Sequence, residues 1–266
     1  MQLDRVSIAF IGAGNMAEAI ARSLLRAGVS ASSLSACDVA APRRELFASL
    51  GIKAVESIDA LDATADVVLL AVKPQQMPTA LASAERFINA TFISIAAGIK
   101  TTTIEQHVGD RPVVRVMPNT PLMVGLGASA IAPGTHATGQ SLDLAEAIFA
   151  GSGIVVRVRE DQLDAVTALS GSGPAYVFFL VEQMVAAGVK MGLDPRVAHD
   201  LATQTALGAG QMLRSDVAPA ELRRRVTSPG GTTQAAIEHL QSKGFEQTVI
   251  DALLVAERRG KELGAK

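Results

Sequence analysis

Two short stretches of this sequence carry residues suited to chemistry done by the backbone. In "IAFIGAGNMA", Gly12, Gly14 and Ala17 follow the spacing G-x-G-x-x-A, after an apolar run and at the opening of a helix-like segment. There each small residue has a task. Gly12 permits a tight turn, Gly14 lets a pyrophosphate approach the backbone, and Ala17 lets the helix lie close to a sheet. In "VTSPGGTT", Val226 to Thr233, a proline and two glycines precede the helix-like "QAAIEHL". Pro229, Gly230 and Gly231 strip side chains from a first helical turn, leaving N–H groups at the positive end of the helix dipole, where an anion can dock. A plain turn before a helix would use the same letters.

The elements that must position these stretches fall into two halves. Up to about Val158, short apolar runs ("VSIAFIG", "LSACD", "DVVLLAV", "TFISIAA", "VVRVMP", "GASAIAPG", "GIVVRV") alternate with helical stretches at Met16 to Ala27, Pro42 to Leu50 and Met77 to Phe87. This pattern predicts an α/β fold, a Rossmann-type doubly wound and mostly parallel sheet with helices on both faces. From Glu160 the strand pattern stops. Helices are expected at Ala175 to Met191, Pro195 to Leu213, Pro219 to Val226, Thr233 to Gln241 and Gly244 to Leu263. The domains expected are therefore 1–159, dinucleotide-binding, and 160–266, all-helical. Ala175 to Val189 is apolar on nearly all sides apart from Glu182 and Gln183, so it must be covered all round, and a second subunit is expected to cover it.

At the end of the second expected strand the fingerprint calls for an acid on the adenosine ribose of NAD, or a basic residue near the 2′-phosphate of NADP. Both are present: Asp38 stands there, and Arg43 and Arg44 lie a short loop away. Asp38 serves either the ribose or a helix cap, and the arginines either a phosphate or a solvated face. The other strand ends, "AVKP", "SIAAG" and "VMPNTP", belong to the same crevice. Asn119 there could bond a nicotinamide amide or a neighbouring loop, and Lys73 could be a phosphate ligand or a surface lysine.

Composition narrows the classes. A net charge of −2, with basic residues scattered apart from Arg223 to Arg225, argues against a nucleic-acid partner. The apolar stretch Ala165 to Val181 is interrupted by Gly171, Gly173 and Pro174 and reads as a helix with its lead-in, so no membrane partner is expected and the location expected is cytoplasmic. One cysteine, Cys37, and four dispersed histidines leave no disulfide and no metal site to expect.

The motifs "IAFIGAGNMA", "AVKPQ", "SIAAGI", "RVMPNTP", "ALSGSGPAY" and "VTSPGGTT" stand in an order that resembles the pyrroline-5-carboxylate reductases, over almost the whole chain. The resemblance implies reduction of the cyclic imine Δ1-pyrroline-5-carboxylate to L-proline with NADPH or NADH, the last step of proline biosynthesis. It also implies a Rossmann domain joined to a helical dimerisation domain, with a homodimer as the unit or a higher homo-oligomer such as a decamer. By motif, Gly12, Ala13, Gly14, Asn15 and Met16 match the phosphate loop. Ala71, Lys73, Pro74, Ala96, Ala97 and Asn119 match the ribose and nicotinamide contacts. Ser228, Gly230, Gly231 and Thr232 match the cradle for the substrate carboxylate, and Thr233 the hydroxyl beside the imine nitrogen. One position departs: where members commonly carry a small polar or basic residue, this chain has Asp38.

The residues alone are compatible with that chemistry. A hydroxy-acid dehydrogenase needs a strong acid or base for the carbonyl proton, and the second half offers no histidine or carboxylate in a suitable loop. A protonated imine is already electrophilic, so positioning and an anchor for its carboxylate suffice. Two rivals remain: a β-hydroxyacid-dehydrogenase-like oxidoreductase, which requires a site-facing lysine on the long apolar helix, and a non-catalytic nucleotide-binding regulator, which has no use for the Gly230 to Thr233 stretch.

Overall fold

The computed structural model describes residues 3–264. Runs of four apolar residues, each buried, make the central strands β1 (Ile8–Ile11) and β4 (Val67–Leu70), as expected of parallel strands covered on both faces. Around them lie β2 (Leu34–Cys37), β3 (Lys53–Val55), β5 (Thr91–Ser94), β6 (Val113–Met117), β7 (Gly127–Pro133) and β8 (Gly153–Arg157). The sheet order is β3-β2-β1-β4-β5-β6-β7-β8. All neighbours pair parallel except β6 and β7. The connection from β1 runs to β2 on one side and the chain later returns to β4 on the other, so the sheet has its topological switch between β1 and β4.

Alternate residues of β1 serve opposite faces. Ile8 and Phe10 join one core with Ile20, Leu24, Phe47 and Phe149; Ala9 and Ile11 join the other with Leu81, Phe87 and Ile104. The covering helices are α1 (Asn15–Arg26), α2 (Ala41–Ser49), α3 (Met77–Ala82), α4 (Thr101–Val108) and α5 (Gly139–Ala150). The first three and the five helices of the second half lie where the periodicity put them, to within a few residues. Absent from that reading are β3, α4, α5 and the short α6 (Leu163–Val166), which runs into a π-turn at Thr167–Gly171.

The chain divides into two compact units, one of residues up to Gly171 together with the segment from Ala256 onward, the other Ser172–Val255. In the first unit the end of α11 (Phe245–Gly264) lies against the loop after β5: a Cβ on Gly98 would sit 3.4 Å from the Gly264 Cα, and one on Gly260 3.4 Å from Asp164 Oδ1. The second unit holds α7 (Gly173–Lys190), α8 (Pro195–Met212), α9 (Pro219–Arg225), α10 (Thr232–Ser242) and most of α11. Gly188 lets α7 approach α8 closely, since a Cβ there would lie 2.9 Å from the Ala198 Cβ. Gly188 is the only buried residue of α7. Phe178 and Phe179 are 68% and 64% exposed, so the cover that this apolar helix demands does not come from its own chain. By length and composition alone the run Glu160–Lys190 would also suffice to cross a membrane.

The pairing of β7 with β8 depends on a residue without a side chain. Gly153 has φ +144°, and a Cβ there would collide with the Gly127 carbonyl oxygen. Gly153→Ala is expected to destabilise the first unit by about 2–4 kcal/mol, the sum of backbone strain and a displaced strand. A thermal melt within about 1 °C of the wild type would count against this role.

Candidate functional site

The dinucleotide fingerprint sits where the switch point requires it, beyond the carboxyl ends of β1 and β4. Gly12 has φ +95°, and a Cβ there would lie 2.7 Å from the Ala71 carbonyl oxygen, so only glycine allows the two strand ends to come this close. Its N–H bonds the Cys37 carbonyl at 2.9 Å, and the Ala71 N–H bonds that of Ile11 at 2.8 Å. Gly14 caps α1 in extended conformation with no side-chain hydrogen bond, and a Cβ there would meet nothing within 4 Å. Glu18 is the first residue of α1 to bond back, to Gly14 at 2.9 Å. The N–H groups of Asn15, Met16 and Ala17 are thus left for a ligand at the positive end of the helix. A dinucleotide pyrophosphate fits this arrangement: the donors point outward, the approach is open, and Ala17 is fully buried against the sheet.

Asp38 is built into this loop. Its Oδ2 accepts the Ala13 N–H at 2.8 Å and its Oδ1 accepts the Ala40 N–H at 2.9 Å. α2 begins after Ala40 with no side-chain cap, so Asp38 braces the phosphate loop and does not cap that helix. Arg43 bonds the Ala13 carbonyl and pairs with Glu18 at 3.0 Å. Arg44 bonds the carbonyls of Asp38 and Val39 at 2.9 and 2.8 Å. Neither arginine is a freely solvated face. Burial works to raise the Glu18 carboxyl, but hydrogen bonds from Arg22 and Arg43 outweigh it and hold the group below its usual range. Burial pushes the neighbouring Cys37 thiol up to about 11.

The remaining cofactor candidates line adjacent strand ends. Ala71 follows β4; Lys73, exposed, leads into a short turn that starts at Pro74. Ala96, buried, and Ala97, exposed, follow β5. Asn119 follows β6, and its side chain is held within the chain: Oδ1 accepts the Ala128 N–H at 2.8 Å and Nδ2 donates to the Ser170 carbonyl at 3.1 Å. Its backbone carbonyl accepts the Leu122 N–H at 3.2 Å, and the side-chain amide keeps one N–H and one lone pair for a further partner.

The substrate candidates Ser228, Gly230, Gly231, Thr232 and Thr233 lie together in the second unit, at the start of α10. Gly230 turns the chain with φ +70°. Gly231 caps the helix without a side chain, and a Cβ there would lie 2.5 Å from Ser228 Oγ. The N–H set offered differs from the expected one. Gly231 N–H closes the turn onto the Ser228 carbonyl at 3.0 Å, and Gly230 N–H bonds Gln234 Oε1 at 2.7 Å. Ala235 is the first to bond back into the helix, to Gly231 at 3.2 Å. The groups without a partner among the described residues are the N–H of Thr232, Thr233 and Gln234, and the Thr232 and Thr233 hydroxyls. The free set is shifted toward the helix because the turn consumes its own first donors. Sequence reasoning missed Gln234; its signal was a Gln three residues after a helix cap, the spacing of a capping box.

A concavity of the second unit lies elsewhere, a groove on α7 and α8 lined by Val177, Val181, Val185 and Leu207 together with Glu182, His199 and Thr203. Its lining is mostly apolar, and it continues the exposed apolar face of α7. Lys190 is the last residue of α7, so the site-facing lysine of the hydroxyacid rival has no place on that helix. No group of three or more metal-ligating side chains occurs among the described residues.

Comparison with known proteins agrees with both halves. Residues 160–263 match a family model described as pyrroline-5-carboxylate reductase dimerisation, and residues 7–98 one described as NADP oxidoreductase coenzyme F420-dependent. A pyrroline-5-carboxylate reductase of Pseudomonas aeruginosa is 47% identical over 263 residues, 96% of each chain. The solved pyrroline-5-carboxylate reductase of Coxiella burnetii superposes with a TM-score of 0.92 at 37% identity, covering 97% of this chain and 98% of that one. The Plasmodium falciparum pyrroline carboxylate reductase, solved with NADP bound, gives a TM-score of 0.87 at 28% identity, covering 99% and 100%. With likeness of sequence and of backbone running the full length of both, this chain belongs to the pyrroline-5-carboxylate reductase family.

Proposed function

We propose that this chain reduces the C=N bond of Δ1-pyrroline-5-carboxylate to give L-proline, the last step of proline biosynthesis, with NADPH or NADH as reductant. The observation that carries the reading is a pair of helices with uncapped first turns, one behind a dinucleotide fingerprint and one behind "SPGGTT". The reduced nicotinamide, when bound, supplies the hydride that the imine carbon receives. Asn15, Met16 and Ala17 hold the pyrophosphate by backbone N–H groups, with Gly14 leaving the approach open. Ala71, Lys73, Pro74, Ala96, Ala97 and Asn119 shape the ribose and nicotinamide places. The Thr232 and Gln234 N–H groups, with the turn Ser228 to Gly231, hold the substrate carboxylate. The Thr233 hydroxyl bonds the ring nitrogen as it changes from imine to amine. No residue is asked to generate the electrophile, because the imine is protonated before hydride arrives.

The functional division proposed is near Glu160, supported by the end of the strand pattern at Arg157 and by the start of the dimerisation match at residue 160. The second unit is proposed to pair with a second copy, making a homodimer on which a larger assembly such as a decamer can be built, and its apolar face is read as protein interface and not as lipid contact. A cytoplasmic location is proposed because reduced nicotinamide cofactors are supplied there.

Three outcomes test these readings. Addition of pyrroline-5-carboxylate to enzyme and NADPH should oxidise the cofactor, and Thr233→Ala should lower kcat/KM by roughly ten- to a thousandfold with cofactor binding intact; wild-type kinetics in folded protein would remove Thr233 from the mechanism. Asp38→Ser should raise the kcat/KM ratio of NADPH over NADH, because it removes an anion from beside the 2′-position; an unchanged ratio would mean that Asp38 serves the loop alone. In detergent-free buffer at micromolar concentration the protein should sediment as a dimer or larger, and a folded monomer would contradict the proposed cover for α7.

A further inference from the structure

Gln234, the third residue of α10, folds back on the turn that precedes its own helix. Its Oε1 accepts the Gly230 N–H at 2.7 Å, and its Nε2 donates to Glu238 Oε1 at 2.7 Å. The two bonds together fix which way the amide faces. A flipped amide would set two donors against each other at Gly230 and two acceptors against each other at Glu238. The oxygen therefore points into the cradle, held there from the solvent side by a carboxylate one helical turn on. An sp² oxygen on a backbone N–H beside an uncapped helix start is what one oxygen of a bound carboxylate would present at the same place.

We infer that Gln234 is an intramolecular stand-in for one oxygen of the substrate carboxylate, which pyrroline-5-carboxylate or proline must displace from Gly230 in order to bind. The inference rests on the carboxylate cradle proposed above. A neutral amide oxygen is a weaker acceptor than a carboxylate oxygen, so the exchange runs in favour of a carboxylated ligand. An uncarboxylated cyclic imine has nothing to offer in exchange and leaves the Gln234 bond in place. The contact keeps the Gly230 donor satisfied and the αL turn formed while the cradle is empty, and it sets a threshold of acceptor strength that a ligand must exceed. Gln234 is thus a specificity residue that acts by competition.

The test compares pyrroline-5-carboxylate with 1-pyrroline, the same ring without its carboxylate. Gln234→Met keeps length and helix propensity but removes the competing oxygen. It should lower KM for the carboxylated imine and the inhibition constant of L-proline by about two- to tenfold, the range of one hydrogen bond between neutral groups. The discrimination between the two imines, as a ratio of kcat/KM values, should rise by a similar factor. Gln234→Ala, checked by circular dichroism, should move both in the same direction. Unchanged or raised constants in the folded variants would overturn the inference. Gly231→Val, which covers the N–H groups with a side chain, separates the two layers. If it raises KM for pyrroline-5-carboxylate while Gln234→Met lowers nothing, Gln234 alone has been misread; if neither substitution alters the discrimination, the cradle itself is wrong.

Discussion

An α-helix cannot satisfy the N–H groups of its own first turn, and this chain deals with that deficiency in more than one way. α5 is closed by a reciprocal pair between Thr138 and Ser141, α8 by Asp194, and α4 from a distance by Glu160, which takes the Thr101 N–H at 2.7 Å and its hydroxyl at 2.8 Å. α2, α3, α7 and α9 place a proline in the first turn and so lack one donor. α1 and α10 have neither device; a glycine caps each of them. The sheet switch brings the loop of α1 to the end of β4, Asp38 and Arg43 grip Ala13 from either side, and the Ser228 to Gly231 turn presents the start of α10.

Much of this was legible in the letters because it depends on local chemistry. Four buried apolar residues between small-residue turns announce a central parallel strand, and glycine at a strand-to-helix junction announces close backbone approach. What escaped is what has no local signature. β3 is three residues long and partly exposed, too short for any period to show. α4 opens on three threonines, poor helix formers whose N–H partner, Glu160, lies 59 residues away. α5 opens on glycine, and its cap at Thr138 and Ser141 lacks the Glu or Gln that would have drawn notice. In the site, the positions of the glycines were readable while the partners of their N–H groups were not. Which donor a turn spends on itself is decided by φ at Gly230 and by the reach of Gln234.

The two units solve the burial of apolar surface differently. The first covers its sheet on both faces with its own helices, and its largest side chains, Phe10, Phe47, Phe87 and Phe92, are fully buried. The second keeps one helix apolar on nearly every side and leaves it uncovered within the chain. An apolar surface of that extent ties stability to protein concentration through mass action, whereas the stability of the sheet does not depend on neighbours. Hydrophobic content alone does not distinguish these two cases; the angular spread of apolar residues around α7 does.

The close approach of Gly98 and Gly264 gives the first unit a temporal order as well as a shape. A chain made from its amino end can form β1 to β8 and their helices early, yet the loop after β5, where Ala96 and Ala97 stand, gains its last neighbour only when the segment from Ala256 to Gly264 has emerged. Every helix of the second unit is synthesised in between. The nascent first unit therefore waits, with the loop at Gly98 bare on one side, through the making of the whole helical unit, and the segment from Ala256 onward is the last piece available to complete it.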